Sequence, residues 1–440
     1  MSSNPAVAAI VFIVLLAASV PVARRLANEE GDRRLFNLVM VGLLLRFACT
    51  FLQVYVVKHY YGGLADFVGY ENTGAQIATG LHSGHFSPGY WGVSGTGTVN
   101  VAVGFVFAIV GANQIAGFAI FAWLAFLGTV SFYRAFRIAL PGADRMRYAV
   151  LLFLMPSLVF WTAAIGKEAL MTAFLGVAAN GGARLFRHQR GAVARLVLGL
   201  GLATLLRPDE SILLFGALCV GFLVSRARSQ GRAGPLGLIA WLVLLGAAGF
   251  GLLEVTVHFL HLHSLSLTAI THELQRQHLT NSGTGAGNGS SNYRYSPSFT
   301  HYFDDAYVVL FDPLPFQAHS TTQLLASMEN LIVLGVVVAS LGRLWTAVRS
   351  CLREPYVLMS LIYALAFLYL FAALGNLGLI DRERVLLFPV LFVLFCLPAG
   401  RPSASPAPEP PAALRPPAPA RLVPMTSRWA GRAPARTGGR

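Results

Sequence analysis

The chain has 440 residues, 55% of them hydrophobic and 12% charged, and carries a net charge of +14. Soluble domains hold roughly 25% charged residues, so an ordinary soluble enzyme, a disordered chain and a fibrous protein are all excluded. Apolar runs of about 20 residues recur along most of the chain, which is the length a helix needs to cross a bilayer. The expected class is an all-α polytopic transmembrane helical bundle.

In chain order, about eleven spans are predicted near 6–23, 35–57, 115–133, 148–165, 169–183, 192–206, 211–224, 236–257, 324–342, 356–374 and 385–398. The first has no positive charge before it and Arg24 and Arg25 directly after, so it reads as a retained anchor with its N-terminus outside. Eighteen arginines then fall in the inner loops, among them Arg134, Arg137, Arg184, Arg187, Arg228 and Arg353. Seven more lie after residue 400, and the outer side keeps Lys58, Lys167, Arg207, Arg276, Arg294, Arg382 and Arg384. This asymmetry sets an N-out, C-in orientation. It also accounts for the basic charge without a nucleic-acid partner.

Acids follow the opposite rule. Thirteen of the 19, and every histidine except His188, fall on the outer side, so any chemistry is expected there. Two large extracytoplasmic loops, 58–114 and 258–323, interrupt a membrane module spanning 1–399. Residues 98–112 are apolar but short and read as a re-entrant or interfacial piece packed on the first loop. The second loop contains the run NSGTGAGNGSSN, which cannot form a core and reads as a lid or slack connection. Residues 400–440 are rich in Pro, Ala and Arg and read as a disordered inner tail. Cys49, Cys219, Cys351 and Cys396 lie far apart in apolar surroundings and suggest neither a disulfide framework nor a zinc site.

Several predicted spans hold only about 15 residues, or about 22 Å of helix. The turns beside them, GKE at 166–168, RPDES at 207–211 and DRER at 381–384, should therefore be recessed and line one polar cavity. Lys167, Arg207, Arg382 and Arg384 sit in these turns. Either they pair with the neighbouring Glu168, Asp209, Glu210, Asp381 and Glu383, or they bind a lipid phosphate or pyrophosphate. Asp66 and Glu71, in ADFVGYE, are carboxylates suited to proton transfer or to holding a cation. His82 and His85, and the run His258, His261 and His263, have spacings that permit metal binding but read more simply as interfacial histidines. Arg46, alone in the middle of a span, should face the bundle interior.

With many spans, large outer loops and an acid in the first of them, the chain resembles the GT-C superfamily of membrane glycosyltransferases. The segments PSLVFWTAAIGKEAL, LLRPDE, FDPLPFQAHSTTQLLASMEN and NLGLIDRERVLLFP are similar to bacterial membrane proteins of polysaccharide assembly. The resemblance implies a polyprenyl-phosphate-linked sugar donor, a glycan or lipid acceptor, and a place in a bacterial plasma membrane with its active face outside. It implies Asp66 as catalytic base with Glu71 beside it, and Lys167, Arg207, Arg382 and Arg384 on the departing phosphate. Glu168, Asp209, Glu210, His82 and His85 would support the site, and a divalent cation, Mg or Mn, is the possible cofactor. A Wzy-like polymerase of lipid-linked repeat units is the alternative, and a flippase or transporter ranks last.

Overall fold

In the computed structural model, residues 4–60, 62–63, 65–89, 92–228, 235–259, 267–282, 295 and 299–398 are described. The chain divides into two units, Met1–Gly400 and Arg401–Arg440. The second, expected as a tail, lies outside the described residues, as do His261, His263 and most of the Gly/Ser/Asn run.

All regular structure among the described residues is helical. Helices α1 (Pro5–Glu30) and α2 (Arg33–Tyr60) form the first antiparallel pair. The Asn4 side chain caps α1 by accepting from the Ala6 amide, and Gly31 ends it at φ 70°, a left-handed turn glycine adopts without penalty. A short hairpin follows, α3 (Asp66–His82) and α4 (Thr96–Val110), closely packed where Gly74 and Gly104 meet Val103 and Ile77. This is the expected packing of the short apolar piece against the first loop. Just before α4, the Gly95 amide donates to the Leu205 carbonyl at 2.7 Å, tying the hairpin to the end of a later helix.

Next come α5 (Gln114–Ala139), α6 (Arg145–Leu154), α7 (Pro156–Trp161), α8 (Lys167–Phe186), α9 (Ala192–Leu206) and α10 (Pro208–Arg228). The span expected at 148–165 is broken in two. Pro156 has no amide to donate, so α6 stops at Leu154 and α7 starts afresh. The link from Thr162 to Gly166 is irregular but buried, the condition under which non-helical backbone is tolerated at depth. Beyond it, α5 and α8 cross in backbone contact: a Cβ on Gly176 would lie 2.3 Å from the Gly128 carbonyl oxygen. With lipid on every side, helices associate by this kind of close small-residue packing. Gly176→Leu should therefore force α8 off α5, and is expected to abolish the monodisperse elution of the detergent-solubilised protein.

The rest comprises α11 (Pro235–Phe259), α12 (Leu267–Ser282), α13 (Tyr302–Phe311), α14 (Thr321–Val338), α15 (Leu341–Ser350), α16 (Pro355–Phe371), α17 (Leu377–Glu383) and α18 (Phe388–Phe395). Among the described residues, six helices, α1, α2, α5, α8, α10 and the stretch from Pro355 to Leu374, are long and apolar enough to cross a membrane. A seventh is added if α14 and α15, bent by 60° at their junction, act as one span. The eleven expected runs thus include shorter pieces. The run at 385–398 is one: its helix α18 has eight residues, all buried, and forms part of the core rather than a long span.

Two predicted spans are longer than expected, α8 at 20 residues and α10 at 21. The charged residues taken as their outer turns are instead their first helical residues: Lys167 and Glu168 in α8, Asp209 and Glu210 in α10. Acids are favoured there because they face the positive end of the helix dipole.

Candidate functional site

The three charged turns converge. Arg382, at the end of α17, donates from Nη1 to Asp66 Oδ2 at 2.6 Å and from Nε to Glu168 Oε1 at 2.7 Å. One guanidinium thus joins α3 to α8, each partner more than 200 residues earlier in the chain. Beside it, Arg207 donates to Glu383, joining the α9–α10 turn to the same short helix. Lys167 lies in the field of Arg207, Glu168, Glu383 and Arg382, but makes no ion pair among the described residues. Glu210 is buried at the start of α10 and accepts from the Tyr363 hydroxyl at 3.0 Å.

The arrangement has an inside and an outside. The Asp66 side chain is 58% exposed, whereas that of Glu168 is 4% exposed. Burial works against the charge of Arg382, but Glu168, Glu383 and Asp66 together outweigh it and hold the guanidinium protonated. Burial likewise opposes Arg207, and Glu383, Asp209 and Glu210 reverse the effect. The first residues of α3, α8 and α10 all meet here, which brings three positive helix-dipole ends to the cluster.

Sequence reasoning offered each cation either its neighbours in the chain or a lipid phosphate, and where the cations do pair the geometry differs from the local scheme. Arg207 and Arg382 pair between turns, not within them. Arg384 alone keeps a local partner, Asp381 at 3.0 Å. It is 1% exposed, leans over the Phe388 ring and faces away into a second buried group that includes Glu329. There burial raises the Asp381 carboxyl to about 6, with Arg384 pulling the other way. Arg384 is therefore separate from the cluster around Arg382.

Glu71 is separate too. It lies five residues beyond Asp66 on α3, so it points to another face of the helix, where it accepts from the Gln114 amide at 3.0 Å. Phe67, one turn earlier, packs edge-on to Phe118 on that same α5 side. Burial pushes the Glu71 carboxyl up to about 7, against the pull of Gln114. A carboxyl raised in the folded state binds its proton more readily there than when unfolded. The folded state therefore loses stability as pH climbs from about 4.5 to about 7, by a total of about 3 kcal/mol. Glu71→Gln should remove this slope, so melting temperatures of the two proteins should diverge between pH 4.5 and 7, with the variant higher, and stay apart by a constant gap above pH 7.

His82 ends α3, about 24 Å along the axis from Asp66, and His85 lies just beyond it. His82 Nε2 contacts the Ala108 carbonyl at 2.9 Å and His85 Nδ1 the Ser83 carbonyl at 3.0 Å, so both serve the hairpin rather than the cluster. Among the described residues, no three His, Cys, Asp or Glu side chains are grouped to hold a metal ion. The carboxylates of the cluster are turned toward arginines, so its donor set does not fit a resident Mg or Mn ion. Arg46 is buried as expected, at 1% exposure, but has no acidic partner among the described residues; its Nε and Nη1 remain without hydrogen bonds.

Two members of the site were missed in the sequence. Tyr70 is buried one turn after Asp66 on the same face, its hydroxyl pushed up by burial and then by Asp66. The i, i+4 spacing was the available signal. Tyr363, in the middle of an apolar span, gave none. Comparison with family models, with curated proteins and with solved structures yields no match.

Proposed function

We propose that the chain is a membrane glycosyltransferase of the GT-C type, moving a sugar from a polyprenyl-phosphate carrier to a cell-envelope glycan or lipid acceptor. It would act on the extracytoplasmic face of a bacterial plasma membrane, in the N-out, C-in orientation that the arginine distribution favours. The observation that carries the reading is the Arg382 fork, which holds an exposed and a buried carboxylate where three helix N-termini meet.

Such a place suits a phosphate. Helix N-termini bind phosphate oxygens through free amides, and arginine binds them in pairs. Lys167 is a cation of the cluster without an ion pair among the described residues, and Asp66 is the partner of Arg382 that water already reaches. A donor phosphate contacting Lys167 would compete for Arg382 and displace Asp66, leaving that carboxylate free. Asp66 would then take the proton of the acceptor hydroxyl as its oxygen attacks the anomeric carbon. The bond from that carbon to the phosphate oxygen breaks, and its electron pair leaves on the phosphate, stabilised by Lys167 and Arg382. In this scheme Arg384 and Glu71 support the fold and do not touch the donor.

One observation favours the polymerase reading: Arg382, not Asp66, is the hub of the cluster. Purified protein in lipid nanodiscs, given radiolabelled polyprenyl-monophosphate and polyprenyl-pyrophosphate sugars, separates the two. Free lipid phosphate released with a new glycosidic product supports the transferase. Turnover only of pyrophosphate-linked oligosaccharides supports the polymerase, and no turnover with any donor rejects both.

A further inference from the structure

The helices that carry the cluster have a second meeting point at their other ends. α8 starts at Lys167 and ends at Phe186, α10 runs from Pro208 to Arg228, and α16 starts at Pro355 and leads to the segment holding Arg382. A 20-residue helix is about 30 Å long, the thickness of the hydrocarbon layer. Phe186, Arg228 and Pro355 therefore lie near the opposite membrane surface from the cluster. There they surround a cavity of about 230 Å³, lined by Arg187, Arg228, Arg353, Glu354 and Tyr356 among others.

We propose that this cavity binds the phosphate headgroup of an anionic membrane lipid. Three guanidinium groups face one carboxylate. Arg187 is held in place by donating to the Ala139 carbonyl at the end of α5, and lies 3.4 Å from Glu354. Arg228 and Arg353 make no ion pair or side-chain hydrogen bond among the described residues, so their donors remain available. The N-terminus of α16, a 17-residue helix opening with Pro355, adds its positive dipole end. At about 30 Å³ per water, the volume admits a phosphate with several waters.

The rest of the lining favours a lipid over a free anion. Phe186, Leu352 and Pro355 contribute apolar walls beside the arginines, and Leu352 is 57% exposed. Such a surface suits the glycerol and first acyl carbons that a headgroup brings with it. All three arginines also lie at helix ends or loops on the arginine-rich face, where anionic lipids attract basic residues. This site is independent of the glycosyltransferase reading.

The test uses the full chain, purified in neutral detergent and titrated with phosphatidylglycerol, phosphatidylcholine or inorganic phosphate. Retained lipid is counted by native mass spectrometry and stabilisation is followed by melting temperature. Phosphatidylglycerol should be retained and should raise the melting temperature, whereas phosphatidylcholine should do neither. The double variant Arg228→Gln, Arg353→Gln should retain phosphatidylglycerol ~30-fold less well. Its lipid-free melting temperature should match that of the parent, since both side chains are exposed and unpaired. Glu354→Gln, which removes the acid from the cavity, should retain more. Equal retention of the two lipids, or retention indifferent to both variants, would overturn the proposal. Inorganic phosphate matching phosphatidylglycerol, with the same loss in the double variant, would reassign the cavity to a soluble phosphate and overturn the lipid assignment.

Discussion

Arg382→Gln is expected to destabilise the protein by about 3–5 kcal/mol, because it leaves the buried Glu168 carboxylate without its ion-pair partner. Glu168 is 4% exposed and, among the described residues, has no second cation within ion-pair distance, so water cannot compensate. The loss should appear as a sharply lower melting temperature in detergent and a smaller folded fraction on size exclusion. Glu168→Gln in the same chain removes the stranded charge and should restore most of the stability, a coupling that a double-mutant cycle measures directly. Arg382→Lys should fall between, since an ammonium group supplies charge but cannot bridge two carboxylates with a planar fork. If Arg382→Gln melts like the parent, the fork does not hold α3, α8 and α17 together and its place in the site is lost as well.

Asp66→Asn is expected to act in the opposite way: little change in stability, large change in turnover. The Asp66 carboxylate is 58% exposed, and ion pairs at such positions contribute at most about 1 kcal/mol. Loss of a general base lowers turnover by roughly 10²–10⁴-fold. The scheme adds a further signature. Since Asp66 competes with the donor phosphate for Arg382, the asparagine variant should bind the donor as well as the parent or better, so kcat falls while KM does not rise. Turnover within tenfold of the parent would remove Asp66 from the mechanism. If Arg207→Gln and Arg382→Lys abolish turnover while Asp66→Asn does not, the arginine-centred polymerase is the better reading.

Much of this was legible in the residues themselves. Hydropathy alone marked the long apolar helices, because a membrane offers backbone groups no partner and leaves helix as the simple way across. The 15-residue helix α9 was readable to the residue, as it sits between Gly191 and Arg207, where the apolar run starts and stops. Boundaries were lost where charge was taken as the end of a helix. Lys167, Glu168, Asp209 and Glu210 look like a turn in one dimension, yet they are first-turn residues whose acids the helix dipole favours. Pro156, inside an apolar run, broke a span that hydropathy could not divide.

What the sequence determined by itself was the class of the protein and the list of charged turns, both consequences of local composition. Only the tertiary structure decided which charges meet. Asp66, Glu168 and Arg382 lie a hundred or more residues apart, and their meeting depends on α8 packing against α5 at Gly128 and Gly176 and on the hairpin being tied to Leu205. The same packing turned Glu71 toward α5 and Arg384 into a second buried group, though both stand beside cluster residues in the chain. Neighbours in sequence share a turn, but the face each presents is set by helix periodicity and by what packs against it.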